Sequence, residues 1–165
     1  MKGRLPVYRD SFFCGTERPD GLELTMTYED HLVNCDLYVD RRFEGYTNVV
    51  HGGMTFGILD VMIWYVIFME TKKICMTRKT ESEFLKPVMC NDHYKAKAQF
   101  LFVDDRDVHA TAWIEDKEGA VCAKVDALFR EARDLPVSTF INRFDFSVTT
   151  PEIKQYFLSL TEDGQ

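Results

Sequence analysis

The feature that most constrains this chain is a run of sixteen residues, Met54 to Met69, reading MTFGILDVMIWYVIFM. As a helix it is apolar on nearly every side, so it has to be enclosed and cannot simply lie on a surface. At 1.5 Å per residue the run spans about 24 Å, short of the roughly 30 Å hydrocarbon core of a bilayer. Asp60 also sits in its middle. The run therefore reads as a buried core helix and not as a membrane span.

The material to enclose it lies on either side. After a turn at Pro19 to Gly21, the segment GLELTMTY alternates, with Leu22, Leu24, Met26 and Tyr28 on one face and Glu23, Thr25 and Thr27 on the other. That period of two predicts a half-buried strand. His31 to Val39 alternates again. Past the helix come four more strand-like runs, Ile74–Lys86, His93–Val103, Val108–Glu115 and Ala120–Arg130, separated by PVMCND, DDRD and DKEG. The order predicts an α+β domain in which a curved antiparallel sheet of about six strands, the last four in a meander, wraps one long helix. The 165 residues fit one domain, with a core of about 13–130 and a C-terminal extension, 131–165. Within the extension PEIKQYFLSL predicts a short helix, with Pro151 in its first turn.

Composition narrows the partners. A formal charge of −7 offers no basic stripe for a nucleic-acid backbone. The five cysteines are odd in number and scattered, with no C-x-x-C pair, which reads as reduced thiols in a cytoplasmic protein. The first ten residues, MKGRLPVYRD, lack the apolar stretch of a secretion signal. His31, His93 and His109 have no ligand-like spacing, and no metal is expected.

Chemistry concentrates at the start of the helix. Gly52 and Gly53 follow His51 where the helix begins, and the first amides of a helix lack internal partners and sit at its positive end. Such amides can polarise a carbonyl and hold an oxyanion. Alone, His-Gly-Gly is more readily an ordinary helix start. Asp60 adds a carboxylate in an apolar helix, costly unless paired or used. It lies seven residues past Gly53, about 10 Å along the helix, too far to serve a carbonyl held at its own N-terminus. It could serve one held by a partner's helix, which predicts a two-fold dimer with composite sites, or a dimer of such dimers.

The segment NVVHGGMTFGILD resembles the signature of hotdog-fold acyl-CoA thioesterases of the phenylacetate-degradation (PaaI-like) group, with an acid nine positions after the His. CGTERPDGLEL and TRKTESEFLKPV resemble two further segments of that group, so the similarity runs from about Phe13 to Phe129. The resemblance implies that Gly52 and Gly53 hold the thioester oxygen. It implies that Asp60 of the opposite subunit acts as base or nucleophile, and that His51 orients the loop. Thr77 falls where relatives place a Ser or Thr that positions water. Many relatives carry Asn or Gln six residues before the His; here that residue is Gly45, and Asn48 is the nearest substitute donor.

Hydrolysis of a small, medium-chain or aryl acyl-CoA to acid and free CoA is the expected activity, with the CoA thioester as substrate and no cofactor. Trp64 is a candidate for the acyl pocket, and Arg78, Lys79, Lys86 and Arg106 for the anionic end of CoA, although a core role for Trp64 and solvated surface charge for the others are the readings the residues favour. Two alternatives stand beside this reading. One is a hydratase or dehydratase of the same fold; the other is a non-catalytic acyl-CoA-binding module.

Overall fold

The computed structural model describes residues 1–162. Strands β1 (Gly3–Arg4) and β2 (Val7–Tyr8) precede β3 (Thr27–Glu29) and β4 (Leu32–Tyr38). A 3-10 turn at Arg41–Phe43 leads into a hairpin, β5 (Glu44–Tyr46) and β6 (Val49–Val50), and then into α1 (Gly52–Thr71). Strands β7 (Cys75–Phe84), β8 (His93–Asp104), β9 (Asp107–Glu115) and β10 (Val121–Glu131) follow. The chain continues through α2 (Val137–Ile141), β11 (Phe144–Asp145) and α3 (Pro151–Glu162).

Seven strands form one antiparallel sheet in the order β1-β3-β4-β8-β9-β10-β7, with α1 packed against its five longest members. This is the expected α+β hotdog architecture, with one short strand more than the expected six. Ile58, Leu59, Met62, Ile63, Val66 and Phe68 of α1 are wholly buried against Val33, Ala96, Ala98, Ala112, Ile114 and their neighbours. The alanines on β8 and β9 let the bulky helix side chains approach the sheet closely. By length and hydropathy α1 would suffice to cross a membrane; here the sheet takes up most of its surface. The helix ends at Lys72, whose left-handed backbone (φ 60°) turns its N–H back onto the Phe68 carbonyl.

Three expectations need correction. The alternation in GLELTMTY is real as burial, since Leu24, Met26 and Tyr28 are buried and Glu23, Thr25 and Thr27 exposed. Only Thr27–Glu29 pairs as a strand, however, because Glu23 takes a left-handed conformation (φ 51°) that interrupts the ladder. The meander holds for β8, β9 and β10 alone. Strand β7 instead lies beyond β10 at the sheet edge, because the chain leaves α1 on the far side from β4. The connector after β7 then crosses back, tied by Val50 N–H to Val88 O (2.9 Å) and Asn91 N–H to Val39 O (2.8 Å), and delivers β8 beside β4.

The third concerns α1 itself. Its enclosure is incomplete: Gly53 is exposed, and Phe56, Gly57, Asp60, Val61 and Trp64 are only partly covered. Their spacing of three and four residues puts them on one stripe of the helix. The extension, in contrast, is built into the body of the domain. Strand β11 pairs with β2 (Phe144 opposite Tyr8), and Ile141, Phe144, Ile153 and Phe157 are buried.

Candidate active site

His51 caps α1, its Nδ1 accepting the Gly53 N–H at 2.9 Å, so the ring proton sits on Nε2. The expected pair of glycine donors is thereby split. Gly53 spends its amide on the cap, while Gly52, as the first residue of the helix, has no acceptor for its own. One amide at the positive end of α1 is left facing out.

Gly45 has its own reason. A Cβ there would lie 3.0 Å from His51 Cδ2 and 3.1 Å from its Cα, so a side chain at residue 45 would crowd His51 where the β5–β6 hairpin meets the cap. Asn48 is a turn residue, left-handed at φ 63°, its N–H on Glu44 Oε2 at 3.0 Å and its carbonyl accepting from Cys90. It does not line the cleft beside Gly52. That cleft, of about 530 Å³, is walled by Tyr46, His51, Gly52, Phe84, Lys86 and Pro87. Phe84 and Pro87 were not picked out from the sequence, where both read as strand and turn.

Asp60 belongs to a different cavity, of about 280 Å³, with Phe13, Gly57, Trp64, Thr77 and Phe129. Asp60 and Thr77 are joined: the Thr77 hydroxyl donates to Asp60 Oδ1 at 2.8 Å, leaving Oδ2 open. Burial raises the Asp60 carboxyl above its ordinary range, and the Thr77 hydrogen bond works against that rise. Cys75 lines the same cavity, but burial pushes its thiol up to about 11, which keeps it protonated and a poor nucleophile at neutral pH.

Thr77 faces the helix because of a bulge. Phe129 of β10 pairs with Thr77 and Leu128 with Lys79, so Arg78 is an extra residue without a partner. Thr77 shares the inner face with buried Phe129, while Lys79 joins Leu128 and His109 on the outer one. Of the four candidates for the anionic end of CoA, Arg78, Lys79 and Arg106 line neither cavity. Arg78 shares Asp107 with Arg130 (2.9 and 2.6 Å), and Lys79 lies on the outer face. Arg106 donates to the Glu131 carbonyl. Lys86 alone stands at the cleft beside Gly52, paired with Asp116 at 3.0 Å.

The Asp60 cavity also depends on Gly57, which sequence reading passed over. A Cβ at Gly57 would meet Phe13 Cζ at 2.2 Å, so the ring lies directly on the helix backbone one turn before Asp60. A glycine inside a helix was the available signal, since it costs stability unless something approaches closely.

Residues 47–123 match the family model described as Thioesterase superfamily. Similar solved structures include a protein described as a thioesterase superfamily protein (TM-score 0.69, 22% identity), the match covering 74% of this chain and 61% of that one. The Escherichia coli PaaI protein of the phenylacetic acid degradation operon is similar over 67% of this chain and 80% of its own (TM-score 0.60, 15% identity). A Streptococcus mutans protein solved with bound acetyl-CoA is similar over 66% and 88% (TM-score 0.61, 15% identity). At these identities the structural likeness speaks to the fold. No curated protein matches the chain at a significant level.

Proposed function

We propose, for a hotdog-fold chain of the thioesterase superfamily, that it hydrolyses acyl-CoA thioesters to free acid and CoA. The observation that carries this reading is the Asp60–Thr77 pair. A half-buried carboxylate with one oxygen engaged by a hydroxyl and the other open is suited to take a proton from water. Water activated at Oδ2 attacks the thioester carbonyl; the oxyanion is held by the Gly52 N–H at the positive end of α1; collapse expels CoA as the thiolate. Lys86, at the mouth of the same cleft, is the basic group closest to where the anionic end of CoA would leave.

The two halves line separate cavities of one protomer, with only Gly52 in one and only Asp60 and Thr77 in the other. We therefore assign each site to two chains. The half-covered α1 stripe and the unpartnered edge of β7 are the surfaces a second copy would close. Five buried, unpaired cysteines accord with a reducing cytoplasm as the working compartment.

The test is a panel of acyl-CoAs with free thiol followed by a colorimetric reagent and enoyl absorbance followed in parallel, on native protein and Asp60→Asn. Thiol release that disappears in a folded Asp60→Asn protein supports the proposal. Absorbance change without thiol release would sink it. Sedimentation of active protein as a monomer would sink the shared site.

A further inference from the structure

A second cavity lies next to the Asp60 cavity, and the two have the wall residues Val61 and Trp64 in common. It measures about 250 Å³ and is otherwise bounded by Tyr8, Ser11, Cys14, Tyr65 and Phe140. Three of its polar wall groups, those of Ser11, Cys14 and Tyr65, are engaged within the protein, and what its lining presents is mostly apolar. Ser11 Oγ accepts the amides of Phe13 and Cys14 (3.2 and 3.4 Å). The Tyr65 hydroxyl donates to the Pro6 carbonyl at 2.9 Å, with the Cys14 thiol at 3.5 Å. Such a space holds water poorly and suits an apolar occupant.

The far wall comes from outside the segment that matches the family. Phe140, in α2, lies nearly parallel to Trp64 (centroids 6.3 Å apart, 23°) and 6.3 Å from the Tyr8 ring. Trp64 in turn is stacked on Phe68 at 5.3 Å and 7°. The segment carrying Phe140 is held by the β11–β2 pairing, by Arg9 N–H on the Arg143 carbonyl (3.1 Å) and by the Arg143–Asp10 ion pair. Phe140 thus stands on a fixed support.

We propose that this chamber takes the acyl group, and that Phe140 is the residue that limits its length. The inference rests on the thioesterase reading for its substrate but not for its geometry. A cavity of roughly 150 Å³ admits benzene, so this one has room for an aryl group or about six to eight carbons. The chamber therefore selects medium-chain and arylacyl thioesters over long ones. Each further methylene it can house is worth about fourfold in transition-state binding.

Two measurements test this. The first is the kcat/KM for acetyl-, hexanoyl- and decanoyl-CoA in native protein, Phe140→Leu and Phe140→Ala. The expected result is a decanoyl-to-hexanoyl ratio that rises about tenfold or more in Phe140→Ala, less in Phe140→Leu, with acetyl-CoA changed less than twofold. An unchanged ratio, or an equal loss for all three, overturns the proposal. The second measurement needs no turnover. In Trp113→Phe protein, Trp64 is the only indole. Saturable quenching by 6-bromohexanol is expected, with 10-bromodecanol binding improved in Phe140→Ala; the absence of saturable quenching overturns the chamber. Quenching that depends on residue 140, in a protein that releases no thiol, keeps the chamber and discards the thioesterase. Thiol release with a length profile indifferent to residue 140 does the reverse.

Discussion

Replacing Thr77 by valine removes one hydroxyl at nearly constant volume and isolates what that hydroxyl does for Asp60. Two effects follow from the 2.8 Å contact. A hydrogen bond to a charged acceptor is worth about 1.5–3 kcal/mol. Thr77 is exposed on its far side, so the lower part of that range applies and kcat should fall about tenfold or somewhat more. The second effect is a displacement in pH. Burial already raises the Asp60 carboxyl, and the Thr77 bond is what opposes it, so without that bond the carboxyl rises further. Catalysis needs the ionised form, so the acid limb of the kcat profile should move to higher pH in Thr77→Val. Thr77→Ser should return both rate and limb towards native. The assay is thiol release at saturating acyl-CoA from pH 5 to 9 for the three proteins. A Thr77→Val enzyme with native rate and an unmoved acid limb would refute the assignment of Asp60 as a base tuned by Thr77.

Asp60→Asn should raise stability even as it abolishes activity. The folded-state carboxyl is raised above its unfolded value, so the folded chain holds that proton more tightly and ionisation at neutral pH opposes folding. The gain should be present at pH 7 and fade as pH falls through the Asp60 value towards the ordinary carboxylate range; thermal melts at pH 7 and pH 4 give the comparison, and an equal gain at both would contradict it. Gly57→Ala places a methyl 2.2 Å from Phe13 Cζ, an overpacking cost of about 1–3 kcal/mol against about 1 kcal/mol of helix propensity. A net loss of up to about 2 kcal/mol in urea is expected, and a more stable variant would show that Phe13 does not lie on the helix. His51→Ala loses the cap on Gly53 and should cost about 1 kcal/mol, with His51→Asn restoring most of it; equal stability of all three proteins would rule out the cap.

Much of this was legible in the residues because it depends on short-range periodicity. The α1 run, the β4, β8, β9 and β10 boundaries and the Pro151 helix all emerged within a few residues of where they stand. The position of β7 did not, since strand order is decided by where a helix delivers the chain and not by the strand's own pattern. At the site, Asp60 announced itself by being charged in an apolar helix, and the reach argument separated it from Gly52. The commitment of the Gly53 amide to His51, by contrast, is a matter of one rotamer. Arg78 and Lys79 are candidates by their sequence neighbourhood alone, and their facing agrees with the solvated charge that the residues favour. The role of Phe140 was invisible: its partner Trp64 is 76 residues away, and nothing local marks the two as neighbours.

The extra residue at Arg78 makes the length of β7 a phase variable. Side chains on a strand alternate, and the bulge absorbs the one residue that would break the alternation between Thr77 and Lys79. A further inserted residue, with no second bulge to absorb it, would reverse the facing of either Thr77 or everything from Lys79 to Phe84. In one outcome Asp60 loses its hydroxyl. In the other, Phe84 leaves the cleft beside Gly52 and acidic side chains take its place. Point substitutions along this exposed strand should therefore be forgiven far more readily than the addition of a single residue to it. Among homologous chains, an insertion beside this position marks the ones in which the two half-sites no longer belong to the same design, whereas loss of the bulge residue alone leaves both facings as they are.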